Sequence, residues 1–179
     1  MNAHASIDPF DAFNTRAHKD GWACRCDPSL DFAKPELTQV AALWRDKAGE
    51  RLMPARSELD ARSLKPFLAN MTLLERVDGD PKRRFRVRLH GTALTRYAGD
   101  STGQYIEDLV PGDLIDTYTG IYDLVLAERR PMRVLWDYQM PVISYLKGET
   151  FIAPLTGKEG LANILFSVTY IEMKDQAFR

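Results

Sequence analysis

Cysteine and histidine are scarce in this sequence: its 179 residues include only two cysteines and three histidines. Cys24 and Cys26 are separated by one residue, a spacing that rarely supports a structural disulfide and suits zinc less well than C-x₂-C. His18 could add one ligand, but a closed zinc site needs four. The sequence therefore predicts no metal site and fits a reducing compartment.

An excess of charge and a long apolar run are also missing. The chain carries 24 basic and 25 acidic side chains, a net charge of -1, which provides no general attraction to nucleic acid or anionic membranes. No stretch approaches the roughly 20 apolar residues that cross a bilayer. The N-terminus lacks the apolar core of a signal peptide. We expect a cytoplasmic protein without nucleic-acid or membrane partners.

Motifs of catalysis are absent as well. The sequence contains no nucleophile elbow, phosphate-binding loop or paired-carboxylate motif. His90 ends a predicted strand, and no acidic residue stands at a spacing that would pair with it as a general base. A half-exposed histidine at a strand end is the simpler interpretation. We predict that the protein is not an enzyme.

The composition is that of an ordinary globular protein, with 45% hydrophobic and 27% charged residues. Residues 1–34 mix charge, Asp, Asn and Pro without a sustained period, which predicts an N-terminal tail that is partly ordered at best. Residues 35–175 are long enough for one domain with a substantial core.

An amphipathic helix opens this domain. Pro35 suits the first turn of a helix and Gly49 suits its end. We expect this helix to lie outside the core, so that part of its apolar stripe needs a partner. The sequence therefore predicts a homodimer, and the predicted interface residues are Leu37, Val40, Ala41 and Trp44.

Strands and a second long helix follow. Hydrophobic patterning predicts five strands, at about 71–77, 83–90, 132–140, 142–156 and 161–173. An apolar stripe predicts a helix over 113–128, with Asp113 as its cap. The order of these elements indicates an α+β fold: a five-stranded antiparallel sheet with helices on one face and the N-terminal helix outside.

Several short phrases in this framework resemble PAS domains. Residues 91–113 are similar to the segment of small helices that joins the first strand pair of a PAS domain to its long helix. Similarity to a bacterial family of stand-alone PAS-like proteins is carried by Leu43-Trp44, Pro54-Ala55-Arg56, Phe85 to Leu89 with Gly91-Thr92, and Asp100 to Leu109. The resemblance covers roughly residues 37–173 and implies a sensory or regulatory role.

In PAS folds, ligands lie between the sheet and the connecting helices. The side chains that we expect there are Phe85, Leu89, Tyr97, Tyr118, Tyr122 and Trp136. Two functions stay open. The first is a sensory module that binds a small molecule or a signalling protein and acts in trans, since the chain ends soon after the last predicted strand. The second is a pure interaction and dimerisation module with a filled core and no ligand.

We predict that the purified protein is colourless, with neither flavin nor haem as a cofactor. Flavin photoreceptors of this fold need a reactive cysteine among the short helices, whereas both cysteines here precede residue 34. Haem-binding PAS domains commonly use a histidine on the long helix, and 113–128 contain none. Absorbance spectroscopy after gel filtration measures this, and a retained visible band would contradict it.

Overall fold

The computed structural model describes residues 8–112, 114–139 and 144–175. Within these ranges, six strands form one antiparallel sheet: β1 Cys24–Asp27, β2 Met71–Arg76, β3 Phe85–His90, β4 Met132–Gln139, β5 Ser144–Thr156 and β6 Ala162–Asp175. The helices are α1 Pro9–Lys19, α2 Pro35–Ala48, α3 Ala61–Leu64, α4 Thr95–Ala98, α5 Ile106–Leu109 and α6 Ile115–Glu128. The strand order across the sheet is β1-β4-β5-β6-β2-β3.

The α+β class and the antiparallel sheet are confirmed. The five predicted strands correspond to β2 through β6, and the predicted helix over 113–128 corresponds to α6. Asp113, the predicted cap, and residues 140–143 lie outside the described residues. The strand count needs correction from five to six, because β1 pairs with β4 at the edge of the sheet.

The additional strand comes from the segment predicted as a tail, and it belongs to the same sheet as β4. Helix α1 buries Phe10 completely within the core beneath α6. Strand β1 buries Cys26, which lies opposite Val134 of β4. A strand of only four residues, two of them charged, is too short to show a hydrophobic period in the sequence. Residues 1–7 of the predicted tail lie outside the described residues.

Asn14 of α1 completes the edge of the sheet at β1. Its side-chain amide donates to the backbone carbonyl of Cys26 at 2.8 Å, and its Oδ1 accepts from the backbone amide of the same residue at 2.8 Å. One side chain thus supplies both hydrogen bonds that a neighbouring strand would make. This contact satisfies an edge that would otherwise present unpaired backbone groups.

A buried ionic cluster anchors the segment between β1 and α2. Glu149 of β5 accepts hydrogen bonds from the backbone amides of Ala33 and Lys34 at 3.0 and 3.1 Å. Its carboxylate also contacts the Arg133 guanidinium at 2.6 Å, and Arg133 reaches Asp27 of β1 at 3.1 Å. Since Glu149 is only 7% exposed, these partners offset the cost of burying its charge.

Helix α2 packs on the sheet face opposite α6, which corrects both its predicted place and its predicted role. Leu37, Val40, Ala41 and Trp44 are all buried within the protomer. The Trp44 indole donates to the carbonyl oxygen of Pro154 at 3.0 Å. Helices therefore cover both faces of the sheet, and these four side chains do not form a free surface for a dimer. The homodimer itself stays a prediction without an assigned interface.

Replacing Asn14 by Ala is expected to lower the free energy of unfolding by about 1–3 kcal/mol, because it leaves two backbone groups at a buried residue without partners. Urea unfolding measures the change. Thr15→Ala is the matched control, since the exposed Thr15 hydroxyl bonds only within its own helix, to the Asp11 carbonyl. Equal loss of stability in the two variants would contradict the role assigned to Asn14.

Candidate ligand-binding cavity

A cavity of about 410 Å³ lies between the sheet and helices α4, α5 and α6. Residues of the strands form its floor: Thr72, His90, Val134, Trp136, Leu146, Gly148, Thr150, Ile152, Ser167, Thr169 and Ile171. Residues of the helices and their connections form its wall: Leu94, Tyr97, Ser101, Ile106, Leu109, Val110, Tyr118, Ile121 and Tyr122.

The cavity exists because the two central strands carry small side chains on this face. Thr150 lies opposite Thr169, and Ile152 lies opposite Ser167, in the register of β5 with β6. Gly148 comes one step further along the same face of β5. On the opposite face the same strands present larger side chains, which pack against α2: Phe151, Leu155, Phe166 and Val168. Alternation along each strand thus fills one face and leaves space on the other.

The indole ring of Trp136 in β4 extends over the neighbouring strand β5 at Gly148. The two residues are register partners in β4 and β5, and a Cβ atom placed on Gly148 would come within 3.1 Å of the Trp136 ring. The absence of a side chain therefore lets the indole cover the strand. The indole N–H donates to the Thr150 hydroxyl at 3.0 Å, and the Thr150 and Thr169 hydroxyls are 2.9 Å apart.

Two tyrosines of α6 form an aromatic wall above this floor. Tyr118 and Tyr122 are four residues apart and share one helical face. The Tyr118 ring stacks on Trp136 at 5.2 Å, and Tyr122 packs edge-on against Phe85 at 5.1 Å. Burial raises the pKa of the Tyr122 hydroxyl, so this group stays a neutral phenol near physiological pH.

Phe85 and Leu89 do not line the cavity, contrary to the sequence prediction. Phe85 is fully buried behind Tyr122. In β3 a bulge interrupts the alternation: consecutive residues Leu73 and Leu74 of β2 pair with Leu89 and Val87. The additional residue turns Leu89 to the face that packs against α2.

The same bulge places His90 in the cavity lining. His90 pairs with Thr72 of β2, and its Nδ1 lies 2.9 Å from the Ser101 hydroxyl. Burial lowers the pKa of His90, although the backbone of Leu94 and the charge of Asp100 act in the opposite direction. The imidazole is therefore a neutral hydrogen-bonding group near physiological pH.

Of the six predicted ligand residues, four line the cavity: Tyr97, Tyr118, Tyr122 and Trp136. Tyr97 is 42% exposed and lies at the rim. The prediction missed the hydroxyl-bearing and glycine positions of the sheet. A signal for them exists in the sequence: small residues recur two positions apart within each of the two strands, at Gly148 and Thr150 and at Ser167 and Thr169.

Among the described residues that line the cavity there is no Asp, Glu, Lys, Arg or Cys. Burial raises the pKa of Cys24 to about 11, so its thiol is not a reactive thiolate at neutral pH. Among the described residues, no cluster of three His, Cys, Asp or Glu side chains could hold a metal ion. No helix in those ranges has the length and apolar character to span a membrane.

The antiparallel sheet, the short helices and the long helix that enclose this cavity define a PAS-type architecture. The family model described as PAS domain matches residues 32–168, which is most of the chain. The chain belongs to the PAS domain family, whose members are sensory rather than catalytic domains as a rule.

Two solved structures are similar at low sequence identity. The Rhodobacter sphaeroides LOV protein is 16% identical, with 63% of this chain and 68% of that chain covered and a TM-score of 0.40. An RNA-binding light-oxygen-voltage receptor is 14% identical, with 68% of this chain but only 35% of that chain covered and a TM-score of 0.41. The search of curated proteins gave no match.

The two aromatic positions Phe85 and Tyr118 are expected to differ in their contribution to stability. Phe85→Ala should lower the free energy of unfolding by about 3–5 kcal/mol, since the ring is fully enclosed. Tyr118→Ala should cost less, because part of the ring borders the cavity and fewer contacts are lost. Denaturant unfolding followed by circular dichroism measures both. A loss for Tyr118→Ala as large as that for Phe85→Ala would contradict the assigned positions.

Proposed function

We propose that this PAS domain is a sensory or regulatory module that binds a small molecule in the cavity and signals in trans through a protein partner. The observation that carries the proposal is the cavity of about 410 Å³. This volume is within the range of small-molecule sites, roughly 300–1,000 Å³, and such sites combine apolar walls with a few placed polar groups. The composition of the lining has that character.

The size of the cavity favours this function over an interaction module with a filled core. Protein interiors are close-packed, and voids much larger than a water molecule are few. The face of the sheet covered by α2 follows that rule, with Phe151 and Phe166 packed edge to face. The space on the other face is therefore a local feature of the side chains around Thr150 and Thr169, rather than loose packing throughout.

Strand β5 offers a route from the cavity to the surface of the domain. Thr150 lines the cavity, whereas its neighbour Glu149 holds the backbone amides of Ala33 and Lys34. These two residues lead directly into α2, whose other side faces solvent. A ligand that shifts β5 would thus act on the start of α2, the surface to which we assign the partner in trans. We further propose that this occurs in the cytoplasm.

Native mass spectrometry of freshly purified protein, followed by a thermal-shift screen of small molecules, tests the proposed function. We expect a bound mass, or stabilisation by screened compounds, that Ser167→Leu removes because the larger side chain occupies the cavity. Ser57→Leu is the matched control, since Ser57 is exposed on a short 3-10 turn and is not among the lining residues. A wild-type protein without bound mass that no compound stabilises would contradict the proposal, as would binding unaffected by Ser167→Leu.

A further inference from the structure

The cavity lining can accommodate an uncharged molecule far better than an ion. Among the described residues that line it there is no Asp, Glu, Lys or Arg side chain. The one group in it that titrates near neutral pH is His90, whose pKa burial lowers. An ion enclosed there would lose its hydration without gaining an opposite charge, which is costly in a low-dielectric interior.

The hydroxyl pair of Thr150 and Thr169 leaves one donor unused. Three hydrogens are available, on the Trp136 indole nitrogen and on the two hydroxyls, whereas the three groups make two hydrogen bonds with one another. If Thr150 donates to Thr169, the Thr169 hydrogen remains, and if Thr169 donates to Thr150, the Thr150 hydrogen remains. Within the described ranges, neither hydroxyl makes a further hydrogen bond.

This unused donor is on the cavity floor. Both threonines line the cavity, and Thr150 is only 5% exposed. A buried donor without a partner is costly, so a ligand that supplies an acceptor at this point is stabilised by a hydrogen bond there. Ser167, two residues from Thr169 on the same strand face, also lines the cavity, and the other neighbours of the pair in register or ring contact are aromatic or aliphatic: Trp136, Tyr118 and Ile152.

We propose that the cavity binds an uncharged, largely apolar molecule that presents a hydrogen-bond acceptor, such as a carbonyl or ether oxygen, to the Thr150–Thr169 pair. This inference rests on the proposed function and adds the chemical class of the ligand. A hydrogen bond to this donor orients the molecule, while the aromatic wall supplies most of the buried contact.

Three probes of matched shape test the ligand class by isothermal titration calorimetry. Benzophenone has two rings and a carbonyl acceptor, diphenylmethane has the rings without the acceptor, and diphenylacetate adds a negative charge. We expect benzophenone and diphenylmethane to bind and diphenylacetate to bind most weakly, since its carboxylate finds no counter-charge.

The double variant Thr150→Val with Thr169→Val then removes the donor. We expect its affinity for benzophenone to fall by about threefold to tenfold while its affinity for diphenylmethane is kept or increased, because only the ketone loses a hydrogen bond. The double variant Thr150→Ser with Thr169→Ser keeps both hydroxyls and should retain the wild-type preference. If the valine double variant does not fold, the double variant Thr150→Ala with Thr169→Ala gives the same comparison, because it also lacks both hydroxyl hydrogens.

An unchanged ratio of benzophenone to diphenylmethane affinity in the double variant that lacks both hydroxyls would overturn the proposal. So would tightest binding by diphenylacetate, failure of benzophenone to bind, or a charged molecule found bound to the purified protein. Ser167→Leu separates these results from failure of the proposed function. If it abolishes probe binding while the threonine variants change nothing, the cavity is a ligand site of another class; if it leaves binding unchanged, the cavity is not the site.

Discussion

The cavity depends on the different packing of the two faces of the β5–β6 pair. Both strands lie in the middle of the sheet, so helices must cover both faces. On one face Phe151, Phe166 and their neighbours interlock with α2. On the other face Thr150 and Thr169 are too short to reach α6, and the space between them and the helix remains open. The sheet and the helices enclose the cavity, and the small side chains on this face of β5 and β6 leave its volume unfilled.

Polar contacts make this arrangement specific. Glu149 is adjacent to Thr150 in the chain yet points to the other side of the sheet, where it fixes the approach to α2. Because neighbouring residues of a strand face opposite sides, the strand connects the cavity directly to the surface of the domain. In the function proposed above, a ligand on one face would alter contacts on the other.

Much of the fold could be predicted from local patterns. The apolar stripe of α6 and the alternation in β3 identified their elements, and the four-residue spacing of Tyr118 and Tyr122 placed both rings on one wall. The site was less accessible to the same reasoning. The bulge in β3 exchanges Leu89 for His90 at the cavity, and this shift depends on pairing with β2 rather than on any feature of β3 alone.

Hydrophobic periodicity is a property of neighbouring residues, so the amino-acid sequence alone predicts the α+β class, the five main strands, the long helix and its aromatic face. The remaining features depend on contacts between distant parts of the chain. In the folded chain β1 pairs with β4, and α2 packs against the sheet. The hydroxyl oxygens of Thr150 and Thr169 lie 2.9 Å from each other, beneath Trp136. These contacts join residues distant in the chain, and their register is fixed by how the strands and helices pack together rather than by any local pattern.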